Sequence, residues 1–276
     1  MIYWYWRYIP CKDVKLDFES LDLYSESDSV VLHLRRKDPK QRIKVKRKHI
    51  RDDDEGCFKR IDGVGFELIL RSPGGDGTFR FDLAHVFSFL LMIKTGGWIN
   101  APAALTSSLL EDPDADVFCI PFIDTTPTHY RDVTLTMEEA VWIKRNMEVG
   151  LRLTNKPIFQ NAMQALTSFH CLPYSNSALL LAWSGLEALF NVSAEISFQL
   201  SLYIANFLKE GSERATMFQR LRKSYNVRSK VTHGAGAKIE NLRDYANETR
   251  DILCACLQKC VETGEFPDAR KLVFGD

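Results

Sequence analysis

Arg228, Ser229 and His233 stand within the stretch RLRKSYNVRSKVTHGAG, residues 220–236, and here residue types and spacing point to chemistry. An imidazole has its proton equilibrium near neutral pH, which suits it to general acid–base work. A guanidinium is a planar, permanently charged fork, suited to holding a phosphate and the charge that builds on its oxygens. Arg220, Arg222, Lys223 and Lys230 gather on neighbouring helical turns, and no Asp or Glu occurs between Arg214 and Lys238. The basic charge is not neutralised locally, whereas the whole chain carries a formal net charge of +0. Attraction for an anionic partner must therefore come from where the charge lies.

The elements that must position these residues are helical. Thr136 and Glu139 have the spacing of a capping box for a helix running to about Leu153, and Pro157 suits the first turn of a second, ending near Phe169. Between Pro173 and Pro267 there is no proline, over a length that accommodates four helices of a bundle. Ser177–Asn191 and Ile196–Leu208 are apolar nearly all round, which places them in the middle of that bundle, with Ser193 and Glu195 opening the second. Ser212 opens the helix that reaches Arg228. The last helix, from about Ile239 to Thr263, carries a stripe of Leu242, Tyr245, Thr249, Ile252, Leu253, Cys256, Leu257 and Cys260 and ends at Gly264. Cys256 and Cys260 share its face and read as core residues.

Residues 1–130 have a different character: short, strand-like runs separated by turns. Ile2, Trp4, Trp6 and Tyr8 alternate with Tyr3, Tyr5, Arg7 and Ile9, as in a half-buried strand. Ser29–Leu34 and Gln41–Lys48 read as a hairpin turning at 37–40. Lys44, Lys46 and Lys48 share one face of its second strand, flanked by Arg35, Arg36, Lys37, Arg42, Arg47 and Arg51. That basic ribbon serves either phosphate contact or the protection of an exposed edge strand. Val64–Leu70 and Thr78–Phe81 flank a glycine-rich hairpin loop that lacks the Lys-Ser/Thr of a phosphate-binding loop. Leu83–Lys94 reads as a buried helix stopped by Gly96 and Gly97, and Val117–Ile123 as a short strand after an acidic loop, Glu111–Asp116. The polar, turn-rich stretch 124–132 marks a boundary before a second domain, residues 136–276.

Length and composition agree with two domains: 276 residues, 45% hydrophobic and 26% charged, have the balance of a soluble globular protein. The opening MIYWYWRYIP lacks the basic and aliphatic regions of a secretory signal, and the longest apolar run, Leu83–Ile93, is too short to span a bilayer. Seven scattered cysteines do not form a disulfide framework. A cytoplasmic protein in a reducing compartment, with no membrane partner, is expected.

The second half resembles the Apea-like HEPN family. An early helix reads approximately alanine-tryptophan-x-x-leucine-glutamate, here Ala182 to Glu187; Glu195-Ile196-Ser197 follows, and the series ends in Arg228-Ser229-Lys230-Val231-Thr232-His233-Gly234. The order of these pieces over roughly the last half of the chain carries the resemblance. It implies that the second half is an all-α HEPN helical bundle; with the strand-like first half, the expected fold class is α+β, a β-rich N-terminal domain followed by that bundle. It further implies a metal-independent, cofactor-free endoribonuclease built as a homodimer through the helical domain, with Arg228 and His233 of both copies lining one cleft and Glu187 a further member. RNA is the implied substrate, a toxin or antiviral defence role the implied setting, and an antitoxin or phage-derived regulator the implied controlling partner. Many such nucleases carry Asn, Asp or His after the arginine; here it is Ser229.

On that reading Arg220, Arg222, Lys223 and Lys230, and the ribbon's Lys44, Lys46 and Lys48, hold the RNA backbone. Positions five apart on a regular helix point about 140° from one another, so one Arg228 and His233 pair does not converge on one phosphate. A two-fold axis near the motif brings two copies of each together. Ser229 and His233, four apart, share a face, which places the hydroxyl to orient the imidazole. The purely architectural alternative has Arg228 pairing with Glu187 or Glu213 inside the bundle and His233 capping a helix end.

Overall fold

The computed structural model describes residues 4–11, 14–26, 29–37, 65–73, 81–97, 99, 103–105, 117–119, 133–192, 196–234 and 240–275. Several sequence expectations fall outside them: the 41–48 strand with Lys44, Lys46 and Lys48, the glycine-rich loop past Pro73, the acidic loop 111–116, the 124–132 boundary, and Ser193 and Glu195. The chain is α+β. By their contacts the described residues divide into two compact units, one up to Glu148 and one from Val149 onward.

The first unit is built on strands β1 (Trp4–Cys11), β3 (Ser20–Glu26), β4 (Ser29–Arg36), β5 (Phe66–Pro73), β6 (Ala103–Leu105) and β7 (Val117–Cys119). They form a six-stranded sheet in the order β3-β4-β5-β1-β6-β7, with every neighbour antiparallel. β2 (Val14–Leu16) pairs in parallel with β8 (Val133–Leu135). β5 is buried on both faces from Phe66 to Leu70, and Phe66 meets Phe87 edge-on at 6.3 Å between ring centroids. Phe87 belongs to α1 (Phe81–Thr95), a helix buried nearly all round and ended by Gly96 at φ 70°. Left-handed backbone there favours glycine.

Two expected hairpins are corrected. β4 has β3 on one edge and β5 on the other, so over Leu32–Arg36 no edge is left for a 41–48 partner. β5 likewise lies between β4 and β1, and Phe81, expected to close a return strand, opens α1 instead. Both readings paired neighbours in sequence; β3 and β4 do pair in that way, but β5 joins β4 and β1 across long connections.

The basic ribbon is altered with it. Glu67, fully buried on β5, takes Arg35 as an ion pair and Lys37 at 3.6 Å, and Arg36 pairs with Glu19. These three cations lie against two carboxylates, Glu67 on β5 and Glu19 just before β3.

α2 (Met137–Thr154) starts in the expected capping box: Glu139 N–H donates to the Thr136 hydroxyl at 3.3 Å, and Thr136 N–H donates back to the Glu139 carboxylate at 2.9 Å. In the second unit α3 (Pro157–Phe169), α4 (Ser175–Phe190), α5 (Ile196–Leu208), α6 (Glu213–Thr232), α7 (Leu242–Thr263) and the short α8 (Ala269–Phe274) pack together. α4, apolar nearly all round, is in the middle, contacting α3, α5, α6 and α7. Gly185 permits this, because a Cβ there would lie 2.8 Å from a Leu253 methyl on α7 and 2.9 Å from Ala165 Cβ on α3. The expected α7 stripe is buried from Thr249 to Cys260. α7 begins at Leu242 rather than near Ile239, because Asn241 at φ 59° breaks the helical run. Ser212 precedes α6 without a side-chain capping bond. Among the described residues no helix is long and apolar enough to cross a membrane.

Candidate functional site

α6 presents the basic stretch as a regular helix through Thr232. His233 is its exposed C-terminal cap, with its N–H donating to the Ser229 carbonyl at 3.2 Å. Gly234, at φ 84°, turns the chain away, its N–H donating to Val231 O at 3.1 Å.

Arg228 points toward α4. Its Nη2 lies 3.1 Å from one Glu187 oxygen and donates to the other at 3.4 Å. The guanidinium carbon sits 5.2 Å from the centre of the Tyr225 ring, and the Tyr225 hydroxyl donates to Glu187 at 3.2 Å. Trp183, fully buried on α4, stands edge-on to Tyr225 at 5.0 Å. Carboxylate, phenol and guanidinium thus form one braced group. The Arg228 and Glu187 side chains keep 26% and 23% of their surface exposed, so the pair lies at the edge of the core. Arg228 Nε is buried without a hydrogen-bond partner. Burial pushes the Tyr225 phenol up from its ordinary pKa, the Glu187 carboxylate adds to the rise, and Arg228 opposes it.

Of the two carboxylates open to Arg228 in the sequence, Glu187 is the partner. Glu213 pairs with Lys209 at 2.9 Å, and that hydrogen bond lowers its pKa. Ser229 is half-buried, and among the described residues no side-chain hydrogen bond joins it to His233. No bond joins Arg228 to His233 either, in keeping with their angular separation on the helix. A single chain therefore brings together Arg228 and Glu187 and leaves His233 apart.

The remaining cations differ among themselves. Arg220 is neutralised by Glu248, at 2.5 Å. Arg222 donates to the Ser197 hydroxyl at 3.2 Å and lies 5.9 Å from the Phe198 ring centre. Lys223 and Lys230 are exposed, with no side-chain partner among the described residues. Tyr225 and Phe198 were not singled out from the sequence, and Trp183 entered only as part of the Ala182–Glu187 motif. The spacing held a signal for two: Tyr225 is three before Arg228 and Trp183 four before Glu187, the offsets at which helical side chains meet. Among the described residues no three His, Cys, Asp or Glu side chains converge as metal ligands.

The helical unit is thus a basic-helix bundle with an arginine braced at its edge. Comparison with known protein families, curated proteins and solved structures found no match.

Proposed function

We propose that this chain is a metal-independent endoribonuclease of the HEPN type, with its cleft completed by a second copy of the helical unit. The observation that carries the reading is the bracing of Arg228. Glu187 and Tyr225 fix one side of the guanidinium, while about a quarter of the side chain still faces solvent. Such an arginine is oriented before a phosphate arrives, which is how a group that stabilises transition-state charge works best. His233, exposed at the helix end, supplies the proton chemistry.

In this mechanism the substrate's 2'-hydroxyl attacks the adjacent phosphorus. One His233 imidazole accepts its proton as the O2'–P bond forms and the P–O5' bond breaks. The imidazole of the second copy, protonated, gives a proton to the departing 5'-oxygen. Arg228 holds the non-bridging oxygens as their charge grows. The products are a 2',3'-cyclic phosphate and a 5'-hydroxyl, and DNA, lacking the 2'-hydroxyl, is not cut. Toxin or antiviral effector is the setting we propose for this activity.

One observation favours a second reading, a non-catalytic RNA- or nucleotide-binding and dimerisation module. Arg228 already has an ion-pair partner, and His233 already serves as a helix cap. The two readings separate in a mixed RNA pool with EDTA present. Cleavage by the wild type, abolished in His233→Ala and Arg228→Ala, supports the nuclease. RNA binding without cleavage in all three supports the module.

A further inference from the structure

On the face that α5 and α6 share, Phe198 is 48% exposed, unusual for a phenylalanine in a unit with so well-filled a core. It is not solitary: its ring meets Phe218 edge-on at 5.5 Å, and the Arg222 guanidinium lies 5.9 Å from its centre, held by the Ser197 hydroxyl at 3.2 Å. An exposed ring backed by another ring and overlain by a guanidinium is what sequence-tolerant recognition of unstacked bases uses.

The place of this cluster gives it a direction. At 100° per residue Phe218, Arg222, Ser229 and His233 fall within about 60° of one another around α6. They form one strip. At 1.5 Å per residue Arg222 and His233 are about 16 Å apart along the axis, the reach of a few nucleotides. Lys223 and Lys230 lie together along one side of the strip, exposed and with no side-chain partner among the described residues.

We infer that Phe198, Phe218 and Arg222 form a base-stacking subsite for unpaired RNA, gripping the strand a few nucleotides from the phosphate at His233. The subsite rests on the ribonuclease reading above and names what that site holds. A second copy of the chain fits the same face less well. A two-fold axis there would set Arg222 and Lys223 against their own copies, and an isologous interface needs an extended apolar patch rather than two phenylalanine rings among cations.

The test is fluorescence anisotropy of the full-length chain in a His233→Ala background, which keeps the RNA intact. Two probes are used: a short oligouridine and an abasic ribose-phosphate strand of equal length. Phe198→Leu keeps apolar bulk without the π-face and sits at the surface, so folding is not at stake. Its expected effect is an affinity about 5- to 100-fold weaker for oligouridine, with the abasic strand and the salt slope unchanged. Phe198→Trp restores or tightens binding. Equal oligouridine affinity in Phe198→Leu and its parent, in a protein that binds RNA, overturns the subsite and leaves the ribonuclease intact. A shift in dimer dissociation with unaltered RNA affinity overturns it in favour of a copy interface. A wild type that neither binds nor cleaves RNA removes the ribonuclease reading and the subsite with it.

Discussion

Glu187→Gln removes the charge facing Arg228 while leaving an acceptor for the Tyr225 hydroxyl. At their 3.1 Å separation the direct attraction is about 5 kcal/mol at an effective dielectric of about 20, and about 1 kcal/mol in bulk water. About three quarters of each side chain is withdrawn from water. Desolvation therefore offsets part of the attraction, and a net coupling of about 1–3 kcal/mol is expected. The assay is a double-mutant cycle, Glu187→Gln with Arg228→Met, read by urea unfolding of the helical circular dichroism. Non-additivity of that size means the two side chains act as one group. A coupling under about 0.5 kcal/mol refutes the bracing and, with it, the reason for regarding Arg228 as oriented in advance. A second readout is independent. Burial is the main cause of the raised Tyr225 pKa and the Glu187 charge the next, so in Glu187→Gln the phenol ionises at lower pH than in the wild type but stays above its ordinary value.

Three further outcomes are expected. Gly185→Ala sets a methyl 2.9 Å from Ala165 Cβ, where no flexible side chain can swing away; overpacking of about 1–3 kcal/mol outweighs the ~1 kcal/mol gain in helix propensity, and a raised urea midpoint refutes the close α3–α4–α7 contact. Thr136→Ala removes the hydroxyl that accepts from Glu139 N–H and lowers stability by about 1 kcal/mol, measurable by the same unfolding. Burial pushes the Cys260 thiol from 9.0 up to about 12. The folded form then holds its proton while the unfolded form releases it. Its contribution to stability is fully present below the unfolded value and is lost as pH rises toward the folded one. The slope is about 1.4 kcal/mol per pH unit per thiol, so Cys260→Ala flattens the alkaline limb by that amount or the burial argument fails.

The helical half was legible because its signals are local. The Thr136 box, Pro157, Gly264 and the stripe from Thr249 to Cys260 each lie within a few turns of what they fix. Asn241 shows the limit, since its left-handed backbone shortens a helix whose pattern alone continued toward Ile239. The sheet was legible only as strands. Which strands pair depends on contacts far apart in sequence, and the rule that neighbours form hairpins gave β4 a partner it has no edge for. In the site, the alternative partners for Arg228 were readable as charges, but choosing Glu187 over Glu213 required knowing that α4 and α6 pack. Phe198 was hidden for a different reason: within an apolar helix one outward ring has the same letter as the inward ones.

β1 lies in the interior of its sheet, although it precedes every strand it pairs with. Trp4 meets Pro73, Cys11 meets Phe66, and Tyr8 meets Leu105. On the ribosome, β1 is therefore made long before its partners, and β3 and β4 leave the exit tunnel with only each other to pair. The β3–β4 ribbon is the one piece of this sheet that can form early; the joining of β1 to β5 must wait for Pro73 to emerge and then close a long loop. Until then the Trp–Tyr–Trp run at Trp4–Trp6 has no strand partner in this sheet, and an unpaired aromatic segment of that kind is prone to association with other chains.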